Sequence, residues 1–296
     1  MQLISMLITE KSNPNTLNLH EMSALEIVQT MNAEDVTISQ AVQRALPEIA
    51  SAVDLIMERL EKGGRLFYVG AGTSGRLGIL DASECPPTFG TPPETVQGII
   101  AGGETAIADA EEGAEDDRIA GKAAIQNKKV DRRDAVVGIS ASGTTPFVLA
   151  ALETAREQGT GTIGLACNEH SPLLENVDVA IGVPVGPEVL AGSTRLKAGT
   201  AQKMVLNMLS TATMVGLGKV YKNRMVDVQA TNKKLVKRAE EMVAELGGVS
   251  HQTASDLLNQ SGNRVKIAIV MARLGVSSDE AVKRLQASRG NLAKFL

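Results

Sequence analysis

Two short loops rich in glycine and hydroxyl side chains carry the residue types that bind phosphate. The first is Gly70-Ala71-Gly72-Thr73-Ser74-Gly75, directly after the apolar run 66–69. The second is Ser140-Ala141-Ser142-Gly143-Thr144-Thr145-Pro146, directly after the apolar run 135–139. Backbone N–H groups and Ser/Thr hydroxyls at the start of a helix favour an anion such as a phosphate monoester. The two loops therefore predict a phosphate site.

Each loop alone also has other interpretations. Hydroxyls at a helix start can merely cap the helix. The first loop matches the dinucleotide fingerprint, but that fingerprint needs an acid at the end of the next strand, and the nearest acid, Glu94, precedes that strand. No lysine follows the second loop as in a nucleotide triphosphatase. Two such loops about 70 residues apart in one predicted sheet favour the phosphate monoester over simple capping.

The elements that must position these loops alternate along the chain. Short apolar runs separated by glycine-rich turns predict strands at 66–69, 95–100, 135–139, 162–166 and 179–183. Alternation of strands with helical segments predicts an α/β fold whose mainly parallel sheet is covered on both faces. Ligands of such sheets bind beyond the carboxyl ends of the strands, which is where both loops fall.

Helical segments flank the predicted sheet. Residues 22–60 have a helical period, and Pro47 should kink or divide this stretch. A long apolar helix is predicted at 199–222, and a second one at 231–246. The remaining residues, 250–296, are typical of three short helices.

Composition excludes several classes of partner. The 296 residues include 30 basic and 34 acidic ones, a net charge of -4, so the basic excess that neutralises a nucleic acid is missing. Aromatic residues make up 2% of the chain, too few for base-stacking platforms. No apolar run is long enough to span a membrane, and the first residues lack the pattern of a signal peptide. We expect no nucleic acid or membrane partner.

The cysteines and histidines form no recognisable metal or disulfide pattern. Cys85 and Cys167 are 82 positions apart, which fits a reducing cytoplasm. Cys85 is interpreted as a packing residue, not a nucleophile. The histidines His20, His170 and His251 lie in unlike contexts. We therefore expect no metal and no cofactor.

Three further stretches carry a family resemblance. They are Asp81-Ala82-Ser83-Glu84-Cys85-Pro86-Pro87-Thr88-Phe89, Ala101-Gly102-Gly103-Glu104 leading to 112–117, and 186–200. The last of these resembles the signature that the glucokinase regulatory protein shares with N-acetylmuramic acid 6-phosphate etherases. Nearly the whole chain resembles the etherase family. The family pattern has aspartate at His20 and threonine at Ala24, a difference confined to the N-terminal arm.

The resemblance implies a sugar isomerase (SIS) type three-layer sandwich with a small C-terminal three-helix subdomain. It implies three domains: an N-terminal arm and helices at 1–62, an SIS phosphosugar-binding domain at 63–248, and a UBA-like helical subdomain at 249–296. A homodimer is expected from the apolar long helix.

The resemblance also implies a reaction, cleavage of the D-lactyl ether at C3 of N-acetylmuramic acid 6-phosphate. Because C3 lies β to the C1 aldehyde of the ring-opened sugar, loss of the C2 proton allows elimination, and water then adds. One acid and one base suffice. By the family pattern Glu84 is the proton donor and Glu115 the second catalytic residue, with the reverse assignment open. A proton donor needs partial burial, for which Cys85-Pro86-Pro87 offers an apolar wall.

Substrate-binding residues follow from the loops and the signature stretch. Arg195 and Lys197 are expected to neutralise the phosphate or the lactyl carboxylate, although basic residues in loops are usually solvated. Hydroxyl groups and backbone N–H groups of the two loops should hold the phosphate, and the residues are Thr73, Ser74, Ser140, Ser142, Gly143 and Thr145.

Two other functions share features of the sequence. A non-catalytic phosphosugar-sensing regulator would carry the same signature, but the regulator resembles two such units in tandem and this chain holds one. An aldose-ketose phosphosugar isomerase would also abstract the C2 proton, but it leaves the second carboxylate without a task. The preferred hypothesis is a cytoplasmic lyase in cell-wall amino sugar recycling.

Overall fold

A computed structural model describes residues 7–228, 233–288 and 290–296 of the chain. The chain divides into two compact units. The first comprises the chain up to Ala82 together with Glu94–Ser210, and the second comprises Ser83–Pro93 together with Thr211–Leu296. Helix α3 (Gly72–Phe89) and helix α7 (Lys197–Gly216) each contribute residues to both units.

The first unit is built on a five-stranded parallel sheet in the order β2-β1-β3-β4-β5. Each observed strand begins and ends within one residue of its predicted bounds. The α/β fold with a parallel sheet is therefore confirmed. The strands are β1 (Leu66–Gly70), β2 (Val96–Ile100), β3 (Ala135–Ser140), β4 (Gly161–Ala166) and β5 (Val179–Gly182).

The central strands β1, β3 and β4 are buried along their whole length. Helices cover both faces, which explains why these strands are continuous apolar runs and do not alternate. On one face Phe67 and Val69 belong to a cluster with Phe147 and Leu152 of helix α6. On the other face, helix α2 contacts β3, β4 and β5. The result is the expected three-layer sandwich.

The N-terminal segment contains short 3-10 turns followed by two helices. The predicted helical stretch 22–60 divides at Ala45, and Pro47 lies in the first turn of the second helix, where a missing N–H costs nothing. The helices of the first unit and those shared with the second are α1 (Ala24–Arg44), α2 (Leu46–Glu61), α3 (Gly72–Phe89), α4 (Thr105–Ala108), α5 (Arg118–Asn127), α6 (Pro146–Glu157) and α7 (Lys197–Gly216).

The second unit corrects one sequence prediction. The long helix predicted over 199–222 ends at Gly216, because Gly218 adopts a left-handed φ of 74° and a short hairpin follows. The start predicted at Thr231 lies outside the described residues. The three short helices of the tail are confirmed. The elements of this part are β6 (Val220–Tyr221), β7 (Arg224–Met225), α8 (Lys233–Gly247), α9 (His251–Gln260), α10 (Val265–Leu274) and α11 (Ser278–Ala287).

Helices α8 to α10 of the second unit share a hydrophobic core of their own, which includes Val243, Leu258 and Ile269. The domain boundaries at 62 and 248 remain predictions. None of the described helices is both long enough and apolar enough to cross a bilayer.

The contact between α5 and α6 gives a stability prediction. In α5, a Cβ added at Gly121 would lie 2.2 Å from the backbone oxygen of Phe147. Gly121→Ala should therefore destabilise the protein by about 1–3 kcal/mol, although alanine is favoured over glycine in a helix. The midpoint of thermal unfolding should fall by several degrees. The exposed Lys122→Ala is the matched control and should keep the wild-type midpoint. A higher midpoint for Gly121→Ala would show that helix propensity outweighs the close contact.

Candidate functional site

Both predicted phosphate loops lie at one point of the sheet. In the sheet, β1 lies between β2 and β3. The chain passes from β1 to β2 on one side, and from β3 to β4 on the other side. Chain connections leave β1 and β3 in opposite directions, which opens a crevice at the carboxyl ends of these two strands. Gly70 at the end of β1 is paired with Ile139 in β3. The loops that follow these strands therefore flank the same crevice.

The first loop makes a tight turn from β1 into α3. A Cβ at Gly70 would lie 2.6 Å from the backbone nitrogen of Gly75, so glycine is needed for this close approach. Thr73 and Ser74 fall in the first turn of α3. Ser74 is buried, and its hydroxyl donates a hydrogen bond of 2.9 Å to Oε1 of Gln202 in α7.

The second loop is held together by its own hydroxyl groups. The Oγ atom of Ser140 lies 2.8 Å from Oγ1 of Thr145 and 3.3 Å from Oγ of Ser142, and it accepts a hydrogen bond from the backbone N–H of Gly143. Gly143 has a φ of 72°, and a Cβ there would meet the Ser171 hydroxyl at 2.2 Å. Only glycine fits this position. The structure thus brings together all four residues predicted from this loop.

The start of α6 shows that simple capping does not explain this loop. Thr145 occupies the N-cap position, yet its side chain makes no capping hydrogen bond to the helix. Instead, its hydroxyl pairs with that of Ser140. The positive end of the α6 dipole is therefore not neutralised by a side chain at that position, in keeping with an anion site.

Glu115 lies in a cavity at the same edge of the sheet. It is exposed, in a 3-10 turn over 114–116. The cavity has a volume of about 280 Å³, and its lining includes Gly72 from the first loop, Arg76 from α3 and Ala101 after β2. One predicted catalytic carboxylate therefore lies beside the first phosphate loop.

Glu84 lies in α3, in the part that belongs to the second unit. Its side chain is exposed. The prediction that Cys85-Pro86-Pro87 partly buries Glu84 is therefore wrong within the part of the chain that the structure describes. Cys85 itself is buried, as expected for a packing residue.

The signature stretch contains two basic residues in different environments. Arg195 is exposed. Lys197 is buried, and its Nζ atom lies 2.6 Å from Oε2 of Glu34 in α1. Burial alone would raise the pKa of Glu34, but hydrogen bonds from Lys197, Asn15 and Asn13 hold it below its ordinary value. The ammonium group of Lys197 is therefore already paired.

Sequence reasoning missed Glu188, which is fully buried in the same stretch. Its carboxylate accepts hydrogen bonds of 2.8 and 2.9 Å from the backbone N–H groups of Lys197 and Ala198, at the start of α7. Burial raises the pKa of Glu188, and these two hydrogen bonds oppose the effect. Burial, with the charge of Glu188, also raises the pKa of the Cys167 thiol to about 12. The carboxylate of Glu188 thus neutralises the positive end of the α7 dipole.

Asp81 was noted only as part of a motif. It is buried, and it accepts hydrogen bonds from the Tyr68 hydroxyl (2.9 Å), the Asn207 amide (2.7 Å) and the Ser210 hydroxyl (3.1 Å). Burial raises the pKa of Asp81, and these hydrogen bonds act against the rise. The network fixes α3 to β1 and α7. The sequence indicated Asp81 only by its position, about one helical turn before Glu84.

Asn168 supports the second loop from behind. Its buried amide nitrogen donates to the backbone oxygens of Ala141 (3.0 Å) and Ser142 (3.3 Å). Its Oδ1 atom accepts from the backbone N–H of Ile8 (2.8 Å). The N-terminal arm is therefore joined to the phosphate loop. Within the described ranges, no three His, Cys, Asp or Glu residues are grouped so that they could hold a metal ion.

Comparison with protein-family models agrees with this geometry. Residues 48–156 match the glucokinase regulatory protein N-terminal SIS domain, and residues 120–212 match the SIS domain. Residues 222–267 match the C-terminal lid domain of glucokinase regulatory protein. Among solved structures, a phosphoheptose isomerase from Francisella tularensis aligns with a TM-score of 0.52 at 20% identity, over 66% of this chain and 100% of that chain. This likeness shows the fold alone. The chain is a SIS-domain protein.

Curated relatives define the family more narrowly. The N-acetylmuramic acid 6-phosphate etherase of Serratia proteamaculans is 53% identical over 98% of this chain and 98% of that protein. The proteins of the same name from Pasteurella multocida and Clostridium beijerinckii are 51% and 49% identical, over 99% and 98% of this chain and 97% and 95% of those proteins. The chain belongs to the N-acetylmuramic acid 6-phosphate etherase family, which confirms the resemblance seen in the sequence.

The central position of Ser140 gives a binding prediction. Ser140→Ala removes the hydroxyl that joins Gly143, Ser142 and Thr145, so the affinity for inorganic phosphate should fall about 10- to 100-fold. The dissociation constant is measured by isothermal titration calorimetry. Ser51→Ala, an exposed serine of α2, is the control and should bind phosphate as the wild type does. Unchanged affinity in Ser140→Ala would remove this loop from the anion site.

Proposed function

We propose that the chain is a carbon-oxygen lyase that converts N-acetylmuramic acid 6-phosphate to N-acetylglucosamine 6-phosphate and D-lactate. The observation that carries the proposal is the pair of hydroxyl-rich loops at the sheet's crevice, beside a cavity lined by Glu115, in a chain of the etherase family. The reaction serves cell-wall amino sugar recycling in the cytoplasm, and it needs no metal and no redox cofactor.

The phosphate of the substrate is assigned to the two loops. Ser140, Ser142 and Thr145 present hydroxyl groups at the uncapped start of α6, and Gly143 contributes by donating its backbone N–H to Ser140 Oγ, which holds the loop in shape. At the start of α3, Thr73 provides a hydroxyl and a backbone N–H group and Ser74 provides a backbone N–H group, because the Ser74 hydroxyl donates its proton to Gln202. Because the loops flank one crevice, a single phosphate can contact both.

The two signature cations receive different roles. Arg195 is exposed and can approach an anionic group of the substrate directly. Lys197 is paired with Glu34 at 2.6 Å, so it contributes to binding by holding the signature stretch against α1. We therefore place Arg195 ahead of Lys197 as a direct ligand.

The chemistry requires one base and one acid. The base removes the C2 proton of the ring-opened sugar, the electron pair forms the C2–C3 double bond, and the C3–O bond breaks. The acid gives a proton to the departing lactate oxygen. Water then returns a hydroxyl to C3 and a proton to C2. We assign the acid to Glu84 and the base to Glu115, which lines the cavity beside the first loop.

Helix geometry favours a site completed by a second copy of the chain. Ser74 and Glu84 are ten residues apart in α3, which corresponds to about 15 Å along the helix axis. The phosphate and C3 of a hexose 6-phosphate are separated by only a few bonds of about 1.5 Å each. A sugar whose phosphate contacts Ser74 therefore reaches Glu84 of the same helix only if the sugar and both side chains extend along the helix axis, a condition that a glutamate from a second copy does not have to meet. The Glu84 of a partner subunit would fill this role.

The surface of α1 supports a homodimer. Before its buried C-terminal end, α1 exposes Leu25, Val28 and Val36, with 64%, 56% and 62% of their surfaces accessible. These residues recur at helical spacing on an element whose buried residues lie near its C-terminal end. Large apolar side chains exposed at this spacing along one helix are found at subunit interfaces.

The two alternative functions lack specific support. A non-catalytic regulator leaves the carboxylate-lined cavity without a task. The fold likeness to a phosphoheptose isomerase is at 20% identity and carries no function to this chain. Incubation with fructose 6-phosphate provides a direct check for isomerase activity.

Removal of either carboxylate tests the assignment of acid and base. Glu84→Gln and Glu115→Gln should each lower kcat for D-lactate release about 100-fold or more, because each removes one proton-transfer group. Lactate is measured enzymatically, and binding of N-acetylglucosamine 6-phosphate should persist in both variants. Glu94→Gln, an exposed glutamate outside the cavity lining, is the matched control.

Labelled water shows whether the C3–O bond breaks, as elimination requires, or the bond between the ether oxygen and the lactyl carbon breaks by direct displacement. In water enriched in oxygen-18, the wild-type protein should place the label at C3 of the sugar. A label found only in lactate contradicts the elimination route. Full turnover by either glutamine variant contradicts the role of that glutamate.

Mixing two inactive variants tests the shared site. If Glu84 acts on the sugar held by the partner's loops, each site takes Glu115 from one chain and Glu84 from the other. A heterodimer of Glu84→Gln and Glu115→Gln then contains one site with both carboxylates and one site with neither. After random exchange, lactate release should recover to about a quarter of the wild-type rate. Light scattering establishes the dimer mass. No recovery despite demonstrated exchange would place both glutamates in one chain.

A further inference from the structure

We propose that Arg76 recognises the carboxylate of the lactyl group and thereby selects the acid form of the ether substrate. This inference rests on the proposed lyase function and adds a residue that sequence reasoning did not select. Arg76 lies in the first turns of α3, two residues after Ser74, and lines the cavity that contains Glu115.

The charges around the cavity require a cation there. Its lining contains Glu111, Glu112 and Glu115, and Arg76 is the single basic residue among the described lining residues. Three carboxylates repel an anionic group brought close to them. The substrate carries a carboxylate on the lactyl group at C3, the carbon next to the C2 whose proton is assigned to Glu115. Arg76 supplies the opposite charge at that place.

The guanidinium group of Arg76 is anchored with donors to spare. Its Nε atom donates to the backbone oxygen of Ile107 at 2.9 Å, and its Nη2 atom donates to that of Asp109 at 3.0 Å. Among the described residues, Nη1 has no hydrogen-bond partner. A guanidinium held in this way has lost its rotational freedom before the ligand binds, which favours a planar carboxylate.

The same two hydrogen bonds connect Arg76 to the segment that carries Glu115. Ile107 and Asp109 belong to α4 and its C-terminal end, and the chain then continues through 110–113 to the turn with Glu115. Arg76 therefore fixes one end of the cavity wall, and its remaining N–H groups are the donors that we assign to the ligand. In this arrangement Arg76 neither gives nor takes a proton; it holds the lactyl group so that the C3–O bond lies beside the catalytic carboxylates.

The proposal predicts a change in selectivity. The probes are N-acetylmuramic acid 6-phosphate and its lactamide analogue, in which the carboxylate is replaced by a neutral amide. The wild-type protein should prefer the acid about 10- to 100-fold in kcat/KM. In Arg76→Gln this preference should disappear, because activity on the acid falls while activity on the amide is retained. Arg76→Lys keeps the charge without the fork and should recover part of the preference.

Two further measurements separate a carboxylate site from other roles. N-acetylglucosamine 6-phosphate carries the phosphate but not the lactyl group, so its dissociation constant should be the same in wild type and Arg76→Gln. A large loss of that affinity would assign Arg76 to the phosphate and overturn the proposal. The exposed Arg118→Gln in α5 is the matched control and should keep the wild-type preference.

An equal loss of activity on acid and amide in Arg76→Gln would mean that Arg76 only maintains the fold, which also overturns the proposal. A wild-type protein that turns over both probes equally contradicts it without any variant. If the wild-type protein releases neither lactate from the acid nor lactamide from the amide, the lyase function itself fails, and this outcome is distinct from the others.

Discussion

The candidate site depends on one constraint, the divergence of chain connections at β1 and β3. These two strands are parallel neighbours, with Gly70 opposite Ile139, and the connection from β1 leads to β2 on the far side. No crossover can then cover the carboxyl ends of β1 and β3. Two loops that are distant in sequence meet at this uncovered edge. Every residue assigned to phosphate binding in the loops takes its place from this strand order.

The starts of the helices near the site differ in how their positive ends are neutralised. At α7, the buried carboxylate of Glu188 accepts two backbone N–H groups, so that helix has no need of an external anion. At α6, the N-cap Thr145 directs its hydroxyl to Ser140 and not to the helix. A chain with a net charge of -4 must attract a phosphorylated substrate locally. The uncapped start of α6 is the place in the fold to which we assign that attraction.

The sequence was sufficient for the parts of the fold that depend on local pattern. Strands buried on both faces are continuous apolar runs, and β1 and β3 were therefore predictable to within one residue. The two predicted phosphate loops could be found for the same reason, because their glycine and hydroxyl residues are contiguous in the sequence. The end of α7 could not be predicted in this way, because the apolar period continues past Gly216 into the short hairpin at β6 and β7. Periodicity cannot distinguish a helix from a strand over two or three residues.

The side chains that support the site could not be predicted because their partners are distant in sequence. Ser74 bonds to Gln202, and Asp81 bonds to Asn207, pairs that only the packing of α7 against α3 brings together. The pairing of Lys197 with Glu34 is of the same kind and changes the interpretation of that lysine from ligand to support. Residue type indicates what a side chain can do. Its partner decides whether it is still available to do it.

Exposure of both carboxylates has a consequence for catalysis. Glu84 and Glu115 are exposed in the single chain, whereas proton transfer to a poor leaving group is most effective where water is excluded. The fold of one chain does not supply that exclusion for Glu115, whose cavity is lined by three glutamates and small residues. The sugar itself and the second copy that we propose must cover them. The proposed second copy would link assembly to catalysis, because the contact that brings its Glu84 to the sugar would also exclude water from the breaking C3–O bond.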